Sequence, residues 1–492
     1  MSCRILFAFI AVVVFALATS SVAHADISLG SCAPNQKASV STQHQIVLNG
    51  KTVSYTATVG FVEVLAADGL SQACIFYTSY VVASKDPRPL LFAFNGGPGS
   101  SSDWLHLGLL GPKRVDLGPD GLQPAKSLAL IDNTSSPLDI TDIVMIDPVA
   151  TGFSHTEATA TTDKFFGVKN DYVSIATFVR NFITINSRWN SPKFILGESY
   201  GGIRGPLLTK YLQEEMGIGI DGLVLVSPAL SGASLNFGQA ENTVPYWTYL
   251  PNFATTAWYH KRLSPALQAL TVEQIYAKAK SFAWTRLHDA LDAGSVLSMK
   301  TIERVATQMS ALTGLDKDFL IDTGLRVDDG MFFSNILKSE NKVIGRYDSR
   351  FVGHAAASGA DFDPSDTLID YNFTAGINDY LRVDLAWPLV SPYATSAEVG
   401  KWEGWEGNEG VLPQLASALT RNPNLKVLIT SGYFDLACPM ATVDYELTQM
   451  PGAPDIKARI SHKLYFGGHA SYINPKVLAQ MKSDLADFIS GH

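Results

Sequence analysis

Phe194-Ile195-Leu196-Gly197-Glu198-Ser199-Tyr200-Gly201 is a short apolar run that ends in a G-x-S-x-G turn. The run predicts a buried strand. The glycines permit a cramped strand-to-helix elbow that lifts a serine hydroxyl clear of the sheet. A helix starting just beyond the elbow aims backbone N–H groups at whatever reacts with that hydroxyl. The pattern is short, and its neighbours along the chain give it weight.

Upstream and downstream lie further buried strands: Leu90–Phe94, Ile143–Ile146, Leu223–Val226, Val427–Thr430 and Lys463–Phe466. Helix-length segments separate them, which predicts a mostly parallel α/β sheet flanked by helices. Reacting groups in such sheets gather beyond the C-terminal strand ends. Leu90–Phe94 leads into Asn95-Gly96-Gly97-Pro98-Gly99-Ser100, Val427–Thr430 into Asp435, and Lys463–Phe466 into Gly467-Gly468-His469. The order oxyanion loop, serine, acid, histidine is that of an α/β-hydrolase fold. Ser199 is then the nucleophile, His469 the base that takes its proton, and Asp435 the group that orients the imidazole. Backbone N–H groups of Gly97 and Tyr200 are the expected oxyanion hole. His462 is the rival histidine, expected at the far end of its strand and facing away. The glycine-rich loop lacks the lysine and the serine or threonine of a phosphate-binding P-loop.

The bulk composition is globular: 492 residues, 46% apolar, 17% charged, net charge −9. No basic run or basic-aromatic stripe points to nucleic acid. Residues 5–18 are apolar behind Arg4, and Ala23-His24-Ala25 supplies a cleavage site, so residues 1–25 read as a signal peptide. No later run is long enough for a membrane span. Export permits disulfides, and of Cys32, Cys74 and Cys438 the pair in the N-terminal β-rich stretch, Cys32 with Cys74, is favoured. In that stretch Asn49-Gly50 and Asp68-Gly69 read as turns. Residues 26–230 and 395–492 are expected to form the core. Residues 231–394 are expected as a largely helical lid, with a Thr271/Gln274 capping box opening one helix and Thr301–Leu312 forming another.

These residues resemble the serine carboxypeptidase family. Asn95–Ser102 is similar to its oxyanion loop, Asp147–Ser154 to a second segment, Gly197–Gly202 to its nucleophile motif, and Asp435 and Gly468-His469 to its last two motifs. The resemblance implies a secreted serine-type carboxypeptidase working through an acyl-enzyme on peptides with a free C-terminus, with no metal or organic cofactor. It implies that Asn95, the Gly96 N–H and Glu198 bind the terminal carboxylate, which requires a proton shared between two carboxyl groups. The chain departs from the eukaryotic pattern. Ser100 replaces a disulfide cysteine, Gly108-Leu109 an acidic pair, and Arg204 a tyrosine, which implies a bacterial branch and export to periplasm or medium. Cys438 stands where some members have a thiol lining the pocket for the penultimate side chain. Esterase or acyltransferase chemistry, or a catalytically idle binding protein, are the alternatives on the same scaffold.

Overall fold

A computed structural model describes residues 32, 39–65, 70–123, 130–157, 160–355, 362–388, 391–404 and 410–491. The expected signal peptide and the Asp68-Gly69 turn lie outside them. Strands β1 (Ser39–Leu48), β2 (Lys51–Leu65) and β3 (Ser71–Val81) form an antiparallel meander. Asn49 and Gly50 join the first two with φ of 50° and 74°, the double left-handed turn that matches strand twist.

The parallel strands follow: β4 (Leu90–Phe94), β5 (Asp142–Ile146), β6 (Lys193–Glu198), β7 (Gly222–Val226), β8 (Lys426–Gly432) and β9 (Ile460–Tyr465). Their order in the sheet is β1-β2-β3-β5-β4-β6-β7-β8-β9, with β3 and β5 antiparallel at the junction. From β4 the chain crosses to β5 on one side and then returns to β6 on the other. That reversal opens a crevice beyond the ends of β4 and β6, where ligands bind in such sheets.

Alternation along the strands divides the core in two. Leu91, Phe194, Leu196, Val224 and Val226 face one way, under Val477, Leu478, Met481 and Leu485 of the C-terminal helix. Phe92, Phe94, Ile195, Leu223 and Leu225 face the other. There they meet helices α1 (Val168–Ile185) and α2 (Gly201–Glu215). Full burial on both faces explains why these strands read as unbroken apolar runs.

Between β7 and β8 the chain is mainly helical. Thr271 and Gln274 do form a reciprocal capping box, opening helix Val272–Phe282, and a second helix spans Met299–Thr313. Helices from Leu250 to Asn335 enclose an apolar cluster of their own, around Phe253, Ile275, Met309 and Phe332. Further on, Phe373, Ile377 and Leu381 of helix α3 (Pro364–Val383) pack instead into the core of the sheet.

β9 begins at Ile460, three residues before the expected Lys463, and ends at Tyr465. His462 therefore sits inside the strand rather than at its far end. Cys32 and Cys74 form a disulfide, and Cys438 is a buried free thiol. Both Asn-X-Ser/Thr sequons are inward-facing. Asn133 is fully buried and donates to the carbonyls of Leu109 and Gly111, and Asn372 donates to the Leu368 carbonyl.

Candidate active site

Ser199 has φ of 60°, a left-handed conformation that a non-glycine residue adopts only where its surroundings impose it. The surroundings are visible. Its N–H donates to Val226 of β7 at 3.0 Å, and its carbonyl accepts from Gly202 at 2.8 Å and Ala229 at 3.0 Å. A side chain on Gly197 would lie 2.6 Å from the Gly201 carbonyl, and one on Gly96 would lie 2.4 Å from the Tyr200 nitrogen. Only hydrogen fits at either place, so the loop after β4 lies directly against the elbow.

Asp435 and His469 arrive from loops after β8 and β9. Asp435 is fully buried, and its Oδ1 accepts from the N–H groups of Ala437 at 2.8 Å and Cys438 at 2.9 Å. Its Oδ2 accepts a hydrogen bond from Nδ1–H of His469 at 2.9 Å, which leaves the other ring nitrogen to act as acceptor. The acid loop is held from above by helix Leu250–Tyr259. Asn252 donates to the Asp435 carbonyl at 2.9 Å, and Thr255 to the Tyr433 carbonyl at 2.6 Å. Burial opposes charge on His469, but Asp435 and Glu198 outweigh it and raise the imidazole pKa. Ser199 and His469 line one cavity of about 310 Å³. Among the described residues no hydrogen bond joins them.

A second Ser–His–Asp array is fully hydrogen-bonded. His462 contacts Asp444 at 3.1 Å and Ser431 at 3.0 Å. Ser431, however, is 1% exposed within β8, on no elbow, and lines neither cavity that meets at Ser199. This array is a half-buried strut between β8, β9 and helix Met440–Gln449.

Asn95 and Glu198 end neighbouring strands and meet beyond them. The Leu105 N–H donates to Asn95 Oδ1 at 3.0 Å, which turns the amide nitrogen toward Glu198, to which it donates. Tyr472 donates to both Glu198 oxygens at 2.9 Å. A side chain on Gly108 would lie 2.3 Å from the Tyr472 ring, so glycine there makes room for the phenol. Burial raises the Glu198 pKa to about 7 against the lowering effects of His469, Tyr472 and Asn95. Beneath lies Arg204, fully buried, paired with Asp171 at 2.7 Å and 3.0 Å and donating to the Asn95 carbonyl at 2.6 Å.

Gly97 and Tyr200 line a second cavity of about 330 Å³ that also meets Ser199, and Cys438 stands in its wall. Burial, the largest influence, holds the Cys438 thiol well above its ordinary pKa. The Asp147–Ser154 segment braces the glycine-rich loop, because Asp147 accepts from the Ser102 N–H at 2.9 Å and from Tyr393 at 2.7 Å. Backbone bonds tie the loop further: Ser101 to Thr395 at 2.9 Å and Ala397 to Gly99 at 2.8 Å. Sequence reading missed Tyr472, Asp171 and Asn252. Only Tyr472, three residues after His469, stood near a motif.

A family model described as serine carboxypeptidase matches residues 49–459. The lysosomal protective protein of Mus musculus is 26% identical over 178 residues, covering 35% of this chain and 34% of that protein. Serine carboxypeptidase-like 40 of Arabidopsis thaliana is 32% identical over 163 residues, covering 32% and 30%. The match thus spans about a third of the length of these curated relatives. The crystal structure of Kex1(delta)p, a prohormone-processing carboxypeptidase from Saccharomyces cerevisiae, superposes with a TM-score of 0.56 at 16% identity, covering 89% of this chain and 91% of that one. At that identity the likeness is one of fold.

Proposed function

The chain belongs to the serine carboxypeptidase family, and on that premise we propose that it removes C-terminal residues from peptides through an acyl-enzyme. The observation that carries this is the Asn95–Glu198 pair in the wall of the cavity that also holds Ser199 and His469. A general esterase needs no carboxylate receptor there. The substrate's terminal carboxylate, with the Gly96 N–H, Asn95 and a protonated Glu198 around it, places the last peptide bond over Ser199.

His469 then takes the Ser199 proton as the oxygen attacks the carbonyl carbon. Asp435 stabilises the imidazolium, and the N–H groups of Gly97 and Tyr200 stabilise the oxyanion. His469 returns the proton to the departing amine, which leaves as a free amino acid from the first cavity. The acyl chain stays on Ser199 along the second cavity, past Cys438, until water repeats the steps in reverse. The helices from Leu250 to Asn335, which hold the Asp435 loop, are the cap over this site. The Cys32–Cys74 disulfide supports passage through an oxidising compartment, in keeping with the Ala23-His24-Ala25 cleavage site. Among the described residues no helix is long and apolar enough to cross a membrane.

The test is a mass-spectrometric time course on an unblocked peptide and on its C-terminal amide, with wild type and Ser199→Ala. Stepwise loss of residues from the free acid is expected, with activity falling on the order of 10⁶-fold in the variant. Cleavage of internal bonds, or equal rates on acid and amide at acidic pH, would count against the proposal.

A further inference from the structure

With the terminal carboxylate at Asn95 and Glu198 and the scissile carbon at Ser199, the side chain of the departing residue has one place to go. It enters the remainder of the first cavity, past Trp104, toward Asp103, Asp366 and Asp370. Among the described residues no lysine or arginine lines that space. We propose, building on the carboxypeptidase reading, that this end of the cavity receives a cationic side chain, so that the preferred substrates end in lysine or arginine.

Three observations converge. Asp103 is 2% exposed; its Oδ1 accepts from Ser101 at 2.7 Å, but its buried Oδ2 has no hydrogen-bond partner among the described residues. A buried carboxylate oxygen left unpaired is costly in a fold. An ammonium or guanidinium group supplies the missing donor. Asp366 and Asp370 stand one turn apart on α3 and so face the cavity together. Asp366 lies in the first turn, where an acid complements the helix dipole.

The third observation is electrostatic. Burial raises the Asp103 pKa to about 8, with Asp147 and Asp370 adding to it and Ser101 opposing. Burial likewise raises Asp366 to about 6, with Asp363 and Asp370 adding and Arg346 opposing. Burial raises Asp370 as well, and an incoming cation favours the charged form of all three carboxyls. Arg346 itself lines the second cavity instead, over the Tyr347 ring and 3.6 Å from Asp329. The Trp104 face offers a surface for an aliphatic stem.

The test uses three N-acylated dipeptides that differ only in ending with Lys, Leu or Glu. For wild type, kcat/KM on the Lys peptide should exceed that on the Leu peptide by about ten- to a hundredfold, the worth of one charge-assisted hydrogen bond, and the Glu peptide should be poorest. The Lys-to-Leu ratio should fall toward one in Asp103→Asn and in Asp370→Asn. The latter, half-buried, keeps the test valid if the former does not fold. Equal rates on Lys and Leu, or a ratio unmoved in Asp370→Asn, overturn the inference and leave the carboxypeptidase reading standing. Failure to cleave any of the three free acids, while an ester is hydrolysed, overturns both.

Discussion

Glu198→Gln separates two protons that the site needs in different places. The reactive form has Glu198 protonated, to hold the substrate carboxylate, and His469 neutral, to accept from Ser199. In the free protein Glu198 is raised from 4.5 to about 7, a bias of about 3 kcal/mol toward the neutral form at 1.36 kcal/mol per pH unit. His469 is also raised, in part by Glu198 itself. The two groups therefore compete for one proton near neutrality, and their titrations belong to the pair. Above about pH 7 the rate on a free-acid peptide should fall about tenfold per pH unit as Glu198 ionises. An ester or amide without the carboxylate should not show that fall.

Glutamine keeps an oxygen for Asn95 and Tyr472 and offers the substrate a permanent N–H. The alkaline limb should flatten. The acid limb should stay nearly in place, because there Glu198 is already protonated and no longer raises His469. The assay is kcat/KM on a dipeptide and on its C-terminal ester from about pH 5 to about 9 in both proteins. Identical peptide profiles in wild type and Glu198→Gln would refute the carboxylate role of Glu198.

Three further expectations follow from the same geometry. His469→Ala should abolish hydrolysis with little change in melting temperature, whereas His462→Ala should lower the melting temperature by loosening Asp444 and Ser431 yet leave a working enzyme; the reverse pattern would exchange the two roles. Cys438 should resist iodoacetamide at neutral pH, since its raised pKa keeps it a thiol, while a mercurial entering the second cavity inhibits; inhibition that survives Cys438→Ser would remove the thiol from the wall. Buried Asp103 and Glu446, each raised to about 8, and Asp147, raised to about 6, bind protons more tightly folded than unfolded. Their stabilisation is complete below the ordinary carboxylate range and is lost as pH rises through these values. The melting temperature should drop between mildly acidic and alkaline buffer, and a rise would contradict the sign.

Much of this was legible because burial writes itself into sequence. β4 to β8 are covered on both faces, so each is an apolar run followed by a loop, and the loops carry Asn95, Ser199 and Asp435. β9 was harder. Ile460-Ser461-His462-Lys463-Leu464 is an edge strand with alternating exposure, so half its residues are polar and its start read three residues late. Tyr472 could not be assigned to Glu198, because the contact depends on a gap at Gly108 more than 350 residues away. Asp366 and Asp370 likewise reach the cavity only through the docking of α3 on the sheet. Arg204 read as a departure from a family pattern, and its buried pairing with Asp171 of α1 emerges only in three dimensions.

The acid loop has a divided allegiance. Asp435 follows a strand of the sheet, yet Asn252 and Thr255 grip its backbone and Leu436 is buried in the apolar cluster of the helical segment. Heating that loosens those helices withdraws Asp435 from His469 while the sheet, with its own separate core, still stands. The helical segment then acts as a thermal fuse. Activity should vanish at a temperature where the strands remain protected from hydrogen exchange, and on cooling should return at the rate at which Leu436 re-enters its pocket.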